Sequence, residues 1–109
     1  MKNLKIKDKN LNVIEMNTFF KKLKGLMWNK EIIKDCYLFK NTNGIHTFFM
    51  FQNIDVILTD KNFKVLKIYE NLSPFKVVLP KKNVYYTIEA PIHVSSLINV
   101  GEVLTFEEN

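Results

Sequence analysis

Ile54-Asp55-Val56-Ile57-Leu58-Thr59, followed by Asp60-Lys61-Asn62-Phe63 and then Lys64-Val65-Leu66-Lys67-Ile68-Tyr69, is the stretch that decides the fold. Its first six residues are β-branched or apolar apart from one acid, which predicts a strand over 54–59. The next four carry turn chemistry, with Asn62 expected as the left-handed residue of a hairpin. The return strand is expected over 63–69, where lysines alternate with apolar side chains. Ile54, Val56 and Leu58 should face one side of the sheet, with Asp55, Ile57 and Thr59 on the other.

Period-two patterning extends outward in both directions. Upstream, strands are expected over 47–51, 36–39, 11–16 and 4–7, with a polar turn over 40–44 and a hairpin turn at Lys9-Asn10. Between them the period changes: Phe19, Phe20, Leu23, Leu26 and Met27 recur at helical spacing, with Asn17 or Thr18 to cap the start. Downstream, Ser73-Pro74 and Pro80 punctuate an irregular stretch before a strand over 85–89. Pro91 is placed to open a second short helix through Ile98, and Gly101 turns the chain into a last strand over 103–106. About seven or eight strands and two short helices make an α+β, mostly β chain. Strands this short in so small a unit predict a partly open antiparallel β-barrel-like domain, helices covering one end.

The 109 residues, 47% apolar and 25% charged, suit one packed domain over 1–109 with loose ends at 1–3 and 107–109. The start alternates lysine with apolar residues and lacks the apolar core of a secretory signal. The densest apolar run, Phe48-Phe49-Met50-Phe51, is too short to cross a bilayer, so no membrane role is expected. Cys36 is the single cysteine, which excludes an internal disulfide and makes the cytoplasm the expected compartment. The net charge of +5 is concentrated: residues 1–30 hold eight Lys against Asp8 and Glu15, and the remainder holds eight Lys against nine acids. All sixteen basic residues are Lys. Without the bidentate fork of arginine, nucleic-acid association through the Lys-rich N-terminal segment is expected to be weak and sequence-independent. Thirteen Asn beside this all-Lys usage point instead to coding bias in an AT-rich genome.

Three motifs carry a family resemblance. Lys24-Gly25-Leu26-Met27-Trp28, Gly44-Ile45-His46-Thr47-Phe48-Phe49-Met50 and Ile54-Asp55-Val56-Ile57-Leu58-Thr59-Asp60 resemble the G-L-M, I-H-T-F-x-M and I-D-V-x-F-x-D segments of the domain of unknown function 192 family. Glu70-Asn71-Leu72-Ser73-Pro74, Ile88-Glu89-Ala90-Pro91 and Val100-Gly101-Glu102 continue the match in register, from about residue 23 to 104. The resemblance implies a compact β-barrel-like fold and no established activity. It departs at Phe51-Gln52-Asn53, where members carry a basic residue, an aromatic and a proline. It departs again at Ile92-His93, where they carry a small A-G step, and at Glu102, where they carry Asp.

His46, Thr47, Met50 and Asp55 form the most concentrated polar signal in an apolar stretch. An acid among Val, Ile and Leu is either paired or solvated. Pairing with His46 would orient an imidazole for acid–base work, whereas a structural role would have Asp55 accept backbone N–H groups. Structure outweighs catalysis in that balance. Cys36 reads as a small core residue rather than a nucleophile, and the serines lack an elbow-like glycine frame. No close pair of metal ligands and no glycine-rich phosphate cradle is present, so neither metal nor cofactor is expected. Trp28, in a polar stretch after the first helix, is expected on a rim, and the resemblance adds Glu89 to the binding set.

The leading expectation is therefore a monomeric, non-enzymatic module that binds a small molecule or a protein through Trp28, His46, Thr47, Met50, Asp55 and Glu89. A small hydrolase-like enzyme using His46 and Asp55 is the alternative.

Overall fold

A computed structural model describes residues 2–6, 9–16, 34–40, 45–46, 52–73, 76–78 and 81–108. Within these, strands β1 (Lys2–Ile6), β2 (Lys9–Met16), β3 (Cys36–Lys40), β5 (Ile54–Thr59), β6 (Val65–Leu72), β8 (Tyr86–Ala90) and β9 (Thr105–Glu108) form one open sheet. Its order is β6-β5-β8-β3-β2-β1-β9, and β4 (Ile45–His46) pairs with β7 (Val77–Val78) in a separate two-stranded sheet. The mostly β reading holds.

The expectation of a purely antiparallel sheet is corrected at one place: β2 and β3 run parallel, with Val13 opposite Cys36. Nineteen residues separate Met16 from Cys36, enough for the crossover that a parallel pair requires. Lys9 and Asn10, expected in a turn, are strand residues opposite Ile6 and Lys5. The loose ends are also corrected. Lys2 and Asn3 pair with Glu108 and Glu107, and Lys5 Nζ lies 3.0 Å from Glu107 Oε1.

The helix expected from Pro91 through Ile98 is a short 3-10 turn, Ser95–Leu97. His93 adopts a left-handed backbone with φ 79°, which interrupts any regular helix after Pro91. Every backbone bond that follows spans three residues, from Ser96 N to His93 O through Ile98 N to Ser95 O. The helix expected over 19–27 and the strand over 47–51 lie outside the described residues. None of the described helices is long and apolar enough to cross a membrane.

Alternation sorts the core onto two faces of the sheet. One cluster gathers Leu4, Val13, Leu38, Ile57, Ile88 and Ala90 with Val94 and Ile98 from the turn segment. The other gathers Phe39, Ile54, Val56 and Leu58, with Tyr37 and Tyr69 packed on it. Strand β5 contributes to both faces and is buried along all six residues, so the alternation expected for 54–59 is observed.

The hairpin after β5 forms as expected, but its left-handed residue is Phe63 at φ 63° rather than Asn62. Phe63 N–H donates to Asp60 O at 3.1 Å and Asp60 N–H to Lys64 O at 3.0 Å, a tight turn followed by one left-handed residue. A bulky side chain is costly in that conformation. Here the cost is offset by ring packing, for the Phe63 ring stacks on Tyr86 at a centroid distance of 4.1 Å and meets Phe106 at a tilt, 4.6 Å between centroids.

The sheet's outer strands are tied through the segment before β9. Val65 N–H donates to Glu102 O at 2.8 Å, Gly101 N–H to Val65 O at 2.8 Å and Leu104 N–H to Phe63 O at 2.9 Å, with Lys64 bridged to Val103. Gly101 has φ 92°, where glycine alone is free of strain. Glu102 Oε1 accepts the Asn99 N–H at 3.1 Å and closes that turn, so the longer acid still reaches its partner.

Candidate functional site

Asp55 lies on β5, between the outer strand β6 and β8, and is 1% exposed. The pairing of β5 with β6 slips between Ile54/Leu72 and Val56/Tyr69, leaving Glu70 and Asn71 opposite Asp55 alone. This is a β-bulge, with Asn71 in a left-handed backbone at φ 52°. Such a bulge removes an amide from the ladder, and Asp55 replaces the lost partner: Asn71 N–H donates to Oδ1 at 2.8 Å. On the other side Ser95 N–H, at the start of the 3-10 turn, donates to Oδ2 at 2.9 Å. One carboxylate thus holds β6 and the 91–98 segment to β5, as expected of a structural acid.

His46 sits in β4, opposite Val77, in the small sheet rather than the sheet of Asp55. Its side chain, and Trp28, Thr47 and Met50, lie outside the described residues.

Glu89 occupies the opposite face. Asp55 pairs with Ala90 of the first cluster, while Glu89 lies between Val56 and Tyr37 of the second. The sheet therefore separates the two carboxyls. Glu89 is 6% exposed, and burial pushes its pKa up to about 8. It is chiefly a neutral acid at pH 7, able to donate a hydrogen bond from its hydroxyl. The neighbouring Tyr37 hydroxyl is also raised, first by burial and then by the charges of Asp35 and Glu89.

Cys36 is fully buried in the first cluster. Burial, and secondarily Asp35, push its thiol up to about 12, so the thiolate needed for nucleophilic attack is scarce at neutral pH. Among the described residues no three His, Cys, Asp or Glu side chains converge to hold a metal ion.

One surface depression was not singled out in the sequence. It lies between the Asp60–Lys64 turn and residues 83–85, with a volume of about 490 Å³. Tyr85 N–H donates to Thr59 O at 2.8 Å and holds the two walls together. The legible signal was a repeated lysine–asparagine tip, Lys61-Asn62 on one side and Lys82-Asn83 on the other.

Comparisons with known proteins converge on an uncharacterised family. The DUF192 family model, described as "Uncharacterized ACR", matches residues 2–106. An uncharacterised UPF0127 protein of Pyrococcus horikoshii is 34% identical over 69% of this chain and 68% of its own length. Another, from Thermococcus sibiricus, is 31% identical over 84% of this chain and 63% of its own length. The chain thus spans about two-thirds of the length of these relatives. Two crystal structures share the fold at a TM-score of 0.75. A protein of unknown function from Novosphingobium aromaticivorans, 13% identical, covers 98% of this chain and 83% of its own. A protein described as a candidate transcription regulator, from Sinorhizobium meliloti, is 14% identical and covers 97% and 90%.

Proposed function

Because this chain belongs to the DUF192 family, which carries no assigned reaction, we propose from its geometry that it is a non-enzymatic binding module. The observation that supports this is the closure of Asp55. Each of its oxygens already accepts a backbone N–H, at 2.8 and 2.9 Å, within a core position that is 1% exposed. A carboxylate that orients a catalytic imidazole needs an oxygen directed at the ring. Here the acid holds the bulge and the turn instead, which disfavours the hydrolase reading of His46 and Asp55.

The scaffold suits a binding role. The ties from residues 101–104 to Phe63 and Val65 favour a partly open barrel, a form that presents turns at its rim. The partner is a small molecule or a protein, met by a monomer in the cytoplasm. Weak nucleic-acid association through the N-terminal lysines is the lesser reading.

A thermal-shift screen across metabolite classes tests the proposal. A binder gains stability with ligand concentration, by about 2.7 kcal/mol at a hundredfold excess over Kd. Turnover of an ester or phosphoester substrate by the wild type, abolished in His46→Ala, would refute it.

A further inference from the structure

We propose that the depression beside the Asp60–Lys64 turn is a binding site for an organic anion, a phosphate or carboxylate carried on a flat apolar body. This deepens the binding-module reading and rests on it.

The lining has two parts. Lys61 and Lys64 bring ammonium groups, and the side-chain amides of Asn62 and Asn83 bring neutral donors. Leu66 and the Tyr85 ring form an apolar surface beside them. Such a mixture of apolar wall and a few placed polar groups is what small-molecule sites use, and about 490 Å³ falls in their usual range.

Charge decides the sign of the ligand. Asp60 is the acid of the lining, and its Oδ1 is already engaged by Asn62 N–H at 2.8 Å and Lys64 N–H at 3.0 Å. Lys61 and Lys64 are exposed, and neither makes an ion pair with a described residue. Lys82, also exposed, stands next to Asn83 and adds to the positive field. Two ammonium groups against one carboxylate leave the concave surface net positive, which favours an anion, and the flat wall favours a ring over a chain.

One residue beside the depression is held against its local preference. Asn83 is left-handed at φ 69°, which asparagine tolerates, whereas Phe63, next to Asn62 of the lining, is strained at φ 63°. Strained backbone of this kind gathers at ligand sites when surrounding contacts enforce it, as the Phe63–Tyr86 stack does here.

The test is a titration of ¹⁵N-labelled protein, read residue by residue, with adenosine monophosphate, benzoate, inorganic phosphate, adenosine and sodium chloride. The expected result is saturable shifts at the amides of Lys61, Asn62, Lys64, Asn83 and Tyr85. Adenosine monophosphate or benzoate should act at lower concentration than inorganic phosphate, and the arm that binds tighter identifies the anion. In the Lys61→Ala/Lys64→Ala double variant affinity should fall at least tenfold with the melting temperature unchanged. Shifts that match sodium chloride, cluster elsewhere or persist in the double variant would overturn the site. ³¹P spectra of the same samples keep the two readings apart. Release of inorganic phosphate from adenosine monophosphate would overturn the non-enzymatic reading, while saturable shifts at the depression would still support the site.

Discussion

Raising the pH from 5 to 8 should destabilise this protein through Glu89. Its carboxyl lies on the sheet between Val56 and Tyr37, and burial raises its pKa from 4.5 to about 8. In the unfolded chain the group ionises near its ordinary value. Between the two values the folded state holds a proton that the unfolded state has released, so stability falls as pH rises. The contribution is fully present below about pH 4.5, is lost progressively toward pH 8 and is flat beyond. Each unit of separation is worth about 1.4 kcal/mol, so a gap of roughly 3.5 units amounts to about 5 kcal/mol between the limits. That is a large share of the roughly 5–15 kcal/mol that holds a small domain together. Urea unfolding at pH 5, 6, 7 and 8 measures it, with Glu89→Gln as the reference that cannot ionise. Relative to that variant the wild type should lose about 1 kcal/mol per pH unit at unchanged slope in urea. Parallel pH profiles for the two proteins would refute the reasoning, as would a wild type that gains on the variant when made alkaline.

Other perturbations test the remaining parts. Asp55→Ala should lower stability by about 1–3 kcal/mol for each orphaned amide of Asn71 and Ser95, and Asp55→Asn less, because the amide keeps one acceptor; equal urea midpoints in all three proteins would remove the clamp. His93→Gly should stabilise by about 1 kcal/mol, since an exposed side chain at φ 79° is exchanged for a residue at ease there; calorimetry showing a lower melting temperature would count against it. Cys36 should resist a thiol reagent in the native protein at pH 7 and react promptly in urea; rapid native labelling would contradict its burial.

The hairpin was legible because the signal lies in one short window. Apolar alternation over 54–59 and the Asp60–Asn62 tip specify it locally. Residue preference points to Asn62 for the left-handed position, yet Phe63 holds it, because ring packing against Tyr86 and Phe106 outweighs that preference and involves residues distant in sequence. The parallel pairing of β2 with β3 had no local signature for the same reason. Asp55 stood out as an acid in an apolar strand, and its structural reading followed from the cost of burying an unpaired charge. Its partners could not be read, since a bulge at Asn71 and a turn at Ser95 are tertiary facts. His93 had a sequence signal of its own: the resemblance places a glycine there, and φ 79° is the physical reason.

The ties at the sheet's edges set how the chain must reach its native state. Strand β9 pairs Glu108 with Lys2, about a hundred positions away, while the residues before it bond to Phe63 and Val65. Contacts so remote in sequence require closing very long loops before any pairing energy is returned. Folding should accordingly be slow for a domain of this size, and until residues 101–108 dock, β1 and the start of β6 present unpaired backbone. Those are the edges on which a second, partly folded copy could pair, so the last strand also protects the chain from aggregation while it folds.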